Sequence, residues 1–338
     1  MTSPTAIILA HDDAPKVRRL LAALDGLDVL LHCDRRTPPG VFNDMVRDAG
    51  PRVRALPRLA TRLSSWSLVE AELRALRVWL ATSRADHAIV LSGGCYPLVS
   101  VSEVRDELAA WGGLTRMRLD PFPHEPWSTR HNPDGGLWRV QRRFVTFHGN
   151  IVSVAGVPLA TIRHKVPKDL VLRASSQWKI YARPHAAALL RVFDERPELV
   201  RFWRRTFVPD ESCVASILSS PELVGSVSDE ICDDLPWYLD WSEPACGGHP
   251  RWLNGNDLPA LIAAREAPRR PLGRVVAKRN GYRKLFARKI PSTEATLLGA
   301  IDELRGEIVP LSDEHLGRLP VESRGELTRP HPSVHLLR

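Results

Sequence analysis

Three short apolar runs, each delivered straight into a polar turn, constrain this chain most. Thr5-Ala6-Ile7-Ile8-Leu9-Ala10 leads into His11-Asp12-Asp13, Val29-Leu30-Leu31-His32-Cys33 into Asp34, and His87-Ala88-Ile89-Val90-Leu91 into Ser92-Gly93-Gly94. Runs of this length without polar alternation suit strands buried on both faces, and hence a parallel sheet. Helical patterns lie between them. His11-Asp12-Asp13 reads as turn and helix cap for a segment with Pro15 in its first turn and an apolar stripe at Val17, Leu20, Leu21 and Leu24. Ser65-Trp66-Ser67 opens a long helix predicted to reach about Ser83, and a further capped helix is predicted from about Ser102 to Trp111. Strand and helix thus alternate over residues 1–112. That alternation predicts an α/β, three-layer architecture whose first half is Rossmann-like and nucleotide-binding.

From about residue 113 the pattern changes. Prolines, tryptophans and histidines gather in Asp120–Gly136, which reads as a long surface loop. A strand is predicted at Gln177–Tyr181 and helices from Pro184 and Pro197. A third helix is predicted to start at Pro209-Asp210-Glu211, and a short aromatic strand at Trp237–Trp241. Residues 113–291 are therefore taken as an acceptor-binding and catalytic half fused to the first. Residues 292–338 are taken as one helix (Glu294–Arg305) and a polar tail.

The chain has 338 residues, no stretch of about 20 apolar residues, and no basic-then-apolar start. No transmembrane anchor or signal peptide is expected. The five cysteines (Cys33, Cys95, Cys213, Cys232, Cys246) are odd in number and lack CxxC spacing, so they read as reduced thiols of a cytoplasmic protein. Net charge is +8, but residues 265–289 alone hold ten Lys/Arg against one acid. The rest is nearly neutral, so the basicity is one local cluster with an affinity for phosphate, on a small nucleotide or on a polymer.

Phe207-Val208-Pro209-Asp210-Glu211-Ser212 sets two carboxylates side by side at a helix start. One of them is a candidate general base; the plainer alternative is that both favour the positive helix N-terminus. Arg251, in His249-Pro250-Arg251, and Lys289, at the end of Leu285-Phe286-Ala287-Arg288-Lys289, are candidate cations for an anionic leaving group, with Arg288 able to take the place of Lys289. No Asp-x-Asp metal motif occurs. Glu70-Ala71-Glu72 has that spacing but falls inside a helix, where i and i+2 face apart.

Four blocks in order resemble the core-2/I-branching β-1,6-N-acetylglucosaminyltransferases and the related xylosyltransferases. They are Ala10-His11 with His32-Cys33-Asp34; Trp66–Ala71 with Leu91–Leu98; Ser176-Gln177-Trp178 with Pro209-Asp210-Glu211; and Asp240-Trp241, His249-Pro250-Arg251, Asp257-Leu258 and Leu285–Lys289. The resemblance spans roughly residues 5–290. It implies a GT-A type fold and an inverting transfer of a sugar (GlcNAc, xylose or similar) from a UDP-sugar to a hydroxyl, with no metal cofactor.

By the same resemblance Glu211 stands at the general base, Arg251 and Lys289 at the donor diphosphate, and His11, Asp34, Gly93 and Gly94 at the nucleotide. Asp210 is expected to cap the helix and to lie on the acceptor side. Trp127 and Trp138, in or near the long loop, are candidate acceptor platforms; Trp178 is a further one, balanced against a core role. The acceptor itself is open: a glycan, a small molecule, or DNA bearing a hydroxylated base. The basic run leaves a second reading, a nucleic-acid-directed protein that either glycosylates DNA or only binds it. A glycoside hydrolase using Asp210 with Glu211 is disfavoured, because adjacent helical residues point about 100° apart.

Overall fold

The computed structural model describes residues 3–130, 132–155, 157–242, 249–270 and 281–306. Cys246, Arg274, Lys278, Arg279 and the polar tail beyond residue 306 lie outside the described residues. The two larger sheets contain β1 (Thr5–Ala10), β2 (Asp28–Cys33), β3 (Val53–Ala55), β4 (His87–Ser92), β5 (Cys95–Pro97), β6 (Thr115–Met117), β7 (Ile180–Ala182), β8 (Ile231–Asp233), β9 (Trp237–Leu239) and β10 (Phe286–Arg288). The three apolar runs read from sequence are β1, β2 and β4.

The main sheet has the order β8-β6-β7-β4-β1-β2-β3. β1 pairs in parallel with β2 and β4, β2 with β3, and β6 with β8. β7 alone runs antiparallel to its neighbours β4 and β6. This is an α/β fold with a mostly parallel central sheet. β1 and β4 are buried along their whole lengths, as unbroken apolar runs require. Strands from both sides of residue 112 share the one sheet.

A second sheet, β9-β10-β5, stands apart from the first, with β9 parallel and β5 antiparallel to β10. It carries the segment before Lys289 past the turn that follows β4. The helices Trp66–Thr82 and Arg183–Glu195 pack against the main sheet and against each other, and their buried faces close the core. On the first, Trp66, Val69, Leu73, Leu76 and Trp79 recur at helical spacing and are all buried. Truncating one such side chain to alanine costs about 2–5 kcal/mol.

The caps are partly as read. Asp13 accepts from the Lys16 amide at 3.2 Å, and Ser100 with Glu103 forms a reciprocal capping box on helix Val101–Trp111. Ser65 caps by position only: its hydroxyl accepts from the Ile151 amide at 2.9 Å. Asp120–Gly136 is more structured than a loop. Asp120–Pro121 pairs with Arg173–Ala174, and Glu125–Trp127 forms a 3-10 turn. The predicted helix over Glu294–Arg305 is present as Ala295–Leu304. Asp302 on it accepts from Tyr96 (2.8 Å), Arg19 (2.7 Å) and Arg305 (3.1 Å), fastening the helix to β5.

Candidate active site

The parallel strands β1, β2 and β4 end together, and their C-terminal edge is where ligands bind in open α/β sheets. His11 follows β1, Asp34 follows β2, and Ser92-Gly93-Gly94 follows β4. The Asp34 amide donates to Ala10 O (2.9 Å) and the Gly93 amide to Leu9 O (3.2 Å), so the three ends stay in contact. A Cβ on Gly93 would lie 3.1 Å from Val17 Cγ2, and one on Gly94 would lie 3.4 Å from both Arg288 Nη1 and Lys289 Cβ. These glycines let the β4–β5 turn press between β1 and the 288–290 segment. The Ile290 amide donates to Gly94 O at 3.0 Å and completes that contact.

Arg288 lies at the centre of this edge. Its guanidinium donates to Ser92 Oγ and rests over the Trp178 ring, 4.3 Å from the centroid. Burial holds its pKa below the usual arginine range. Lys289 comes next, with Nζ 4.2 Å from the Trp252 ring centroid; burial, and then the charge of Arg288, lower its pKa. His249 is held below its ordinary value by burial and then by the charges of Lys289 and Arg288. Three basic side chains thus share one neighbourhood. His11 is exposed, 3.3 Å from Asp12, and that hydrogen bond raises its pKa.

Arg251 is differently occupied. Its Nε donates to Asp240 at 2.7 Å, Nη1 to Asp257 at 3.0 Å and to Trp252 O at 3.2 Å, and Nη2 contacts both aspartates. Every guanidinium nitrogen faces an acceptor, and the two carboxylates hold its pKa well above the ordinary value. The Leu253 amide donates to Lys289 O at 2.9 Å and ties the Arg251 loop to β10.

Asp34 is likewise engaged. It accepts from the Arg36 amide (2.8 Å), the Arg36 guanidinium (2.8 Å) and Thr61 Oγ1 (2.8 Å), and its pKa is lowered to about 2 against the opposing effect of burial.

The acidic pair sits on a 3-10 turn, Pro209–Glu211, followed by helix Cys213–Leu218. The sequence predicts a helix start here; the structure interposes the turn because Val208 before it is left-handed, with φ 50°. Glu211 accepts from Arg139 Nη1 at 3.1 Å, with side-chain exposures of 28% for the carboxylate and 16% for the arginine. Burial raises its pKa, and Arg139 opposes that rise. Asp210 caps no helix. It is buried, its Oδ1 meets no donor among the described residues, and burial followed by the nearby Glu211 charge pushes its pKa up to about 7. Beside it lies the buried Lys179–Glu72 pair, joined by Tyr181. Glu72 is therefore consumed inside the core.

The base turn and the cationic edge are joined by one short segment. The Ser175 amide donates to Glu211 O at 2.7 Å, and three residues later Trp178 lies beneath Arg288. Trp178 is buried, a floor under a cation. Trp127 is half-buried with the Arg139 guanidinium 4.0 Å from its centroid, so Trp127, Arg139 and Glu211 form a stack ending in the carboxylate. Trp138 instead packs into a small aromatic cluster, 5.0 Å from Phe207 and 6.0 Å from Phe144. Arg139 and His249 were not singled out as site residues in the sequence. The only local signal for Arg139 is its place between Trp138 and a basic pair, since its partner lies 72 residues away.

The described cations of the 265–289 run, apart from Arg288 and Lys289, have partners within the fold, though Arg269 stays exposed. Arg270 pairs with Asp234, Arg283 with Glu103, Arg265 with Glu103 at 3.6 Å and Arg269 with Glu107 at 3.4 Å, while Lys284 donates to Leu235 O at 2.8 Å. Among the described residues no three His, Cys, Asp or Glu converge as a metal site, and no helix is long and apolar enough to cross a membrane. Cys33, Cys95, Cys213 and Cys232 are buried free thiols.

The model of the core-2/I-branching enzyme family matches residues 7–262. A comparison with curated proteins found no match. Among solved structures, a cytidylyltransferase from Leptospira borgpetersenii serovar Hardjo-bovis is similar at 11% identity and TM-score 0.29, over 56% of this chain and 64% of its own. HddC from Yersinia pseudotuberculosis shows 11% identity and TM-score 0.27, over 54% and 78% of the two chains. A 2-C-methyl-D-erythritol 4-phosphate cytidylyltransferase from Thermus thermophilus shows 14% identity and TM-score 0.28, over 58% and 77%.

Proposed function

The chain belongs to the core-2/I-branching enzyme family, a family of glycosyltransferases, and on that premise we propose an inverting, metal-independent sugar transfer from a UDP-sugar to an acceptor hydroxyl. Glu211 takes the proton from the attacking hydroxyl. The diphosphate leaves towards Lys289 and Arg288, with Arg251 joining by exchanging an aspartate oxygen for a phosphate oxygen. His11 and the Gly93-Gly94 turn lie against the nucleotide.

One observation carries this reading: the Ser175–Trp178 segment holds the base turn at one end and the Arg288 cation at the other. A displacement reaction needs a proton acceptor on the attacking side and positive charge on the leaving side, both held in place before the reaction starts. Glu211 is suited to the first task because its carboxylate is half-enclosed yet kept ionisable by Arg139. Arg288 and Lys289 are suited to the second because Arg288 ends strand β10 and Lys289 follows it directly, its carbonyl held by the Leu253 amide. Fixed side-chain cations offset developing charge with little reorganisation, which is the work a metal does elsewhere.

A direct test is transfer from UDP-GlcNAc, UDP-xylose and UDP-glucose to a hydroxyl-rich acceptor panel in EDTA. Turnover with inversion at the anomeric carbon supports the proposal. Strict dependence on a divalent ion, or retention of configuration, removes it.

A further inference from the structure

Three cations outside the basic run also have no carboxylate partner among the described residues and stand close together in the chain pairing. They lie on a small hairpin beside the base. Residues Arg142–Phe144 pair antiparallel with Ala160–Arg163, and an irregularity in the register between Thr161 and Arg163 brings Arg163 opposite Arg142. Like charges facing each other across a strand pair are unfavourable. Lys165 follows two residues on, and all three side chains are exposed. Among the described residues no carboxylate lies within ion-pair distance of any of them. The nearby acids are already taken: Asp120 by Arg118, Asp169 by Arg196 (2.6 Å) and Glu211 by Arg139. Among the described residues the Arg142 side chain meets the Asn132 side chain, at 2.9 Å, and the Trp138 ring, at 5.9 Å.

This face is coupled to the base turn by short steps. Trp138 packs on Phe207, and Phe207 leads through Val208 to Pro209-Asp210-Glu211. The Phe207 amide also donates to Arg139 O at 3.0 Å, and Arg139 holds Glu211. Two facing arginines with a lysine beside them make a compact footprint, sized for one anionic group rather than for the length of a polymer. Their guanidinium forks match carboxylate and phosphate oxygens.

We propose that the hairpin face of Arg142, Arg163 and Lys165 binds an anionic substituent, carboxylate or phosphate, on the acceptor sugar whose hydroxyl Glu211 deprotonates. This rests on the transferase reading above and names its acceptor class. The facing charges are relieved when the anion sits between them, so acceptor binding and hairpin stability rise together.

The test is binding rather than turnover. NMR titrations at low salt compare glucose, glucuronic acid, glucose 6-phosphate and a 12-nucleotide single-stranded DNA on the full chain, on Arg163→Gln, and on Arg54→Gln, which removes an equal charge at exposed Arg54 on β3. At least one acidic sugar is expected to bind ten-fold or more tightly than glucose; which one distinguishes carboxylate from phosphate. Arg163→Gln is expected to remove most of that preference, and Arg54→Gln to leave it. Equal affinity for glucose and both acidic sugars, or equal effects of the two variants, overturns the proposal. DNA binding that Arg163→Gln weakens, without binding of either acidic sugar, overturns it in favour of a nucleic acid. UDP-induced thermal shifts on the same samples report folding and separate the two readings. A protein that prefers acidic sugars but ignores UDP loses the donor assignment and keeps this one.

Discussion

Arg139 Nη1 donates to Glu211 Oε2 at 3.1 Å, and the same guanidinium lies 4.0 Å from the centre of the Trp127 ring. One arginine therefore fixes both where the carboxylate points and how readily it ionises. Burial raises the Glu211 pKa, and the adjacent cation opposes that rise.

Arg139→Met is expected to shift the pH profile of transfer. Without the cation the Glu211 pKa rises further, so the acidic limb of the rate profile moves to higher pH, by about one unit or more. At saturating alkaline pH much of the rate returns. A profile that drops uniformly at all pH values would show that Arg139 serves the fold rather than the base.

Glu211→Gln removes the proton acceptor while keeping the shape of the side chain. Transfer is expected to fall by about 10²–10⁴-fold, with UDP binding by calorimetry within a few-fold of the parent. Activity near the parent level would strip Glu211 of its role.

Lys289→Met and Arg251→Lys are expected to weaken UDP binding, each by about ten-fold or more, with kcat falling as well. Their effects on stability should separate. Lys289 Nζ contacts only an aromatic ring among the described partners, whereas Arg251 joins Asp240 to Asp257 with a planar fork that lysine cannot reproduce. Thermal unfolding should therefore show a loss of about 1–3 kcal/mol for Arg251→Lys and little for Lys289→Met. EDTA treatment before assay should leave the parent rate unchanged.

Asp210 gives a signature in stability. In the fold it keeps its proton to about pH 7, while in the unfolded chain it loses it near pH ~4. Between those values unfolding releases a proton, so this group makes the protein less stable as pH rises. Above about pH 7 both states are ionised and the slope ends. Denaturant titrations from pH 4 to 8 should show that decline, and Asp210→Asn should flatten it.

The parts legible in the sequence were those fixed by local pattern. Thr5–Ala10, Asp28–Cys33 and His87–Ser92 announce themselves because a strand covered on both faces needs no polar alternation. Asp13 with Pro15 marks a helix start for equally local reasons. The antiparallel sense of Ile180–Ala182 had no such mark, since it depends on where the chain re-enters the sheet. The two-residue pairings between Asp120 and Ala174 were hidden for the same cause.

The candidate site divides likewise. Glu211, Arg288 and Lys289 are visible as residue types in suggestive company. The fate of the basic run was not, because Asp234, Glu103 and Glu107, which take up Arg270, Arg283 and Arg269, stand far away in the chain. Charge counted along a sequence overstated the charge offered to a ligand.

Val208 occupies left-handed backbone, at φ 50°, immediately ahead of the turn that bears Glu211. A β-branched residue is costly there, and glycine would sit more comfortably. A sequence drifting towards greater robustness would thus be drawn to relax this joint and so loosen its grip on the carboxylate. Retaining valine keeps the molecule slightly less durable than it could be, in return for a reactive group that does not wander.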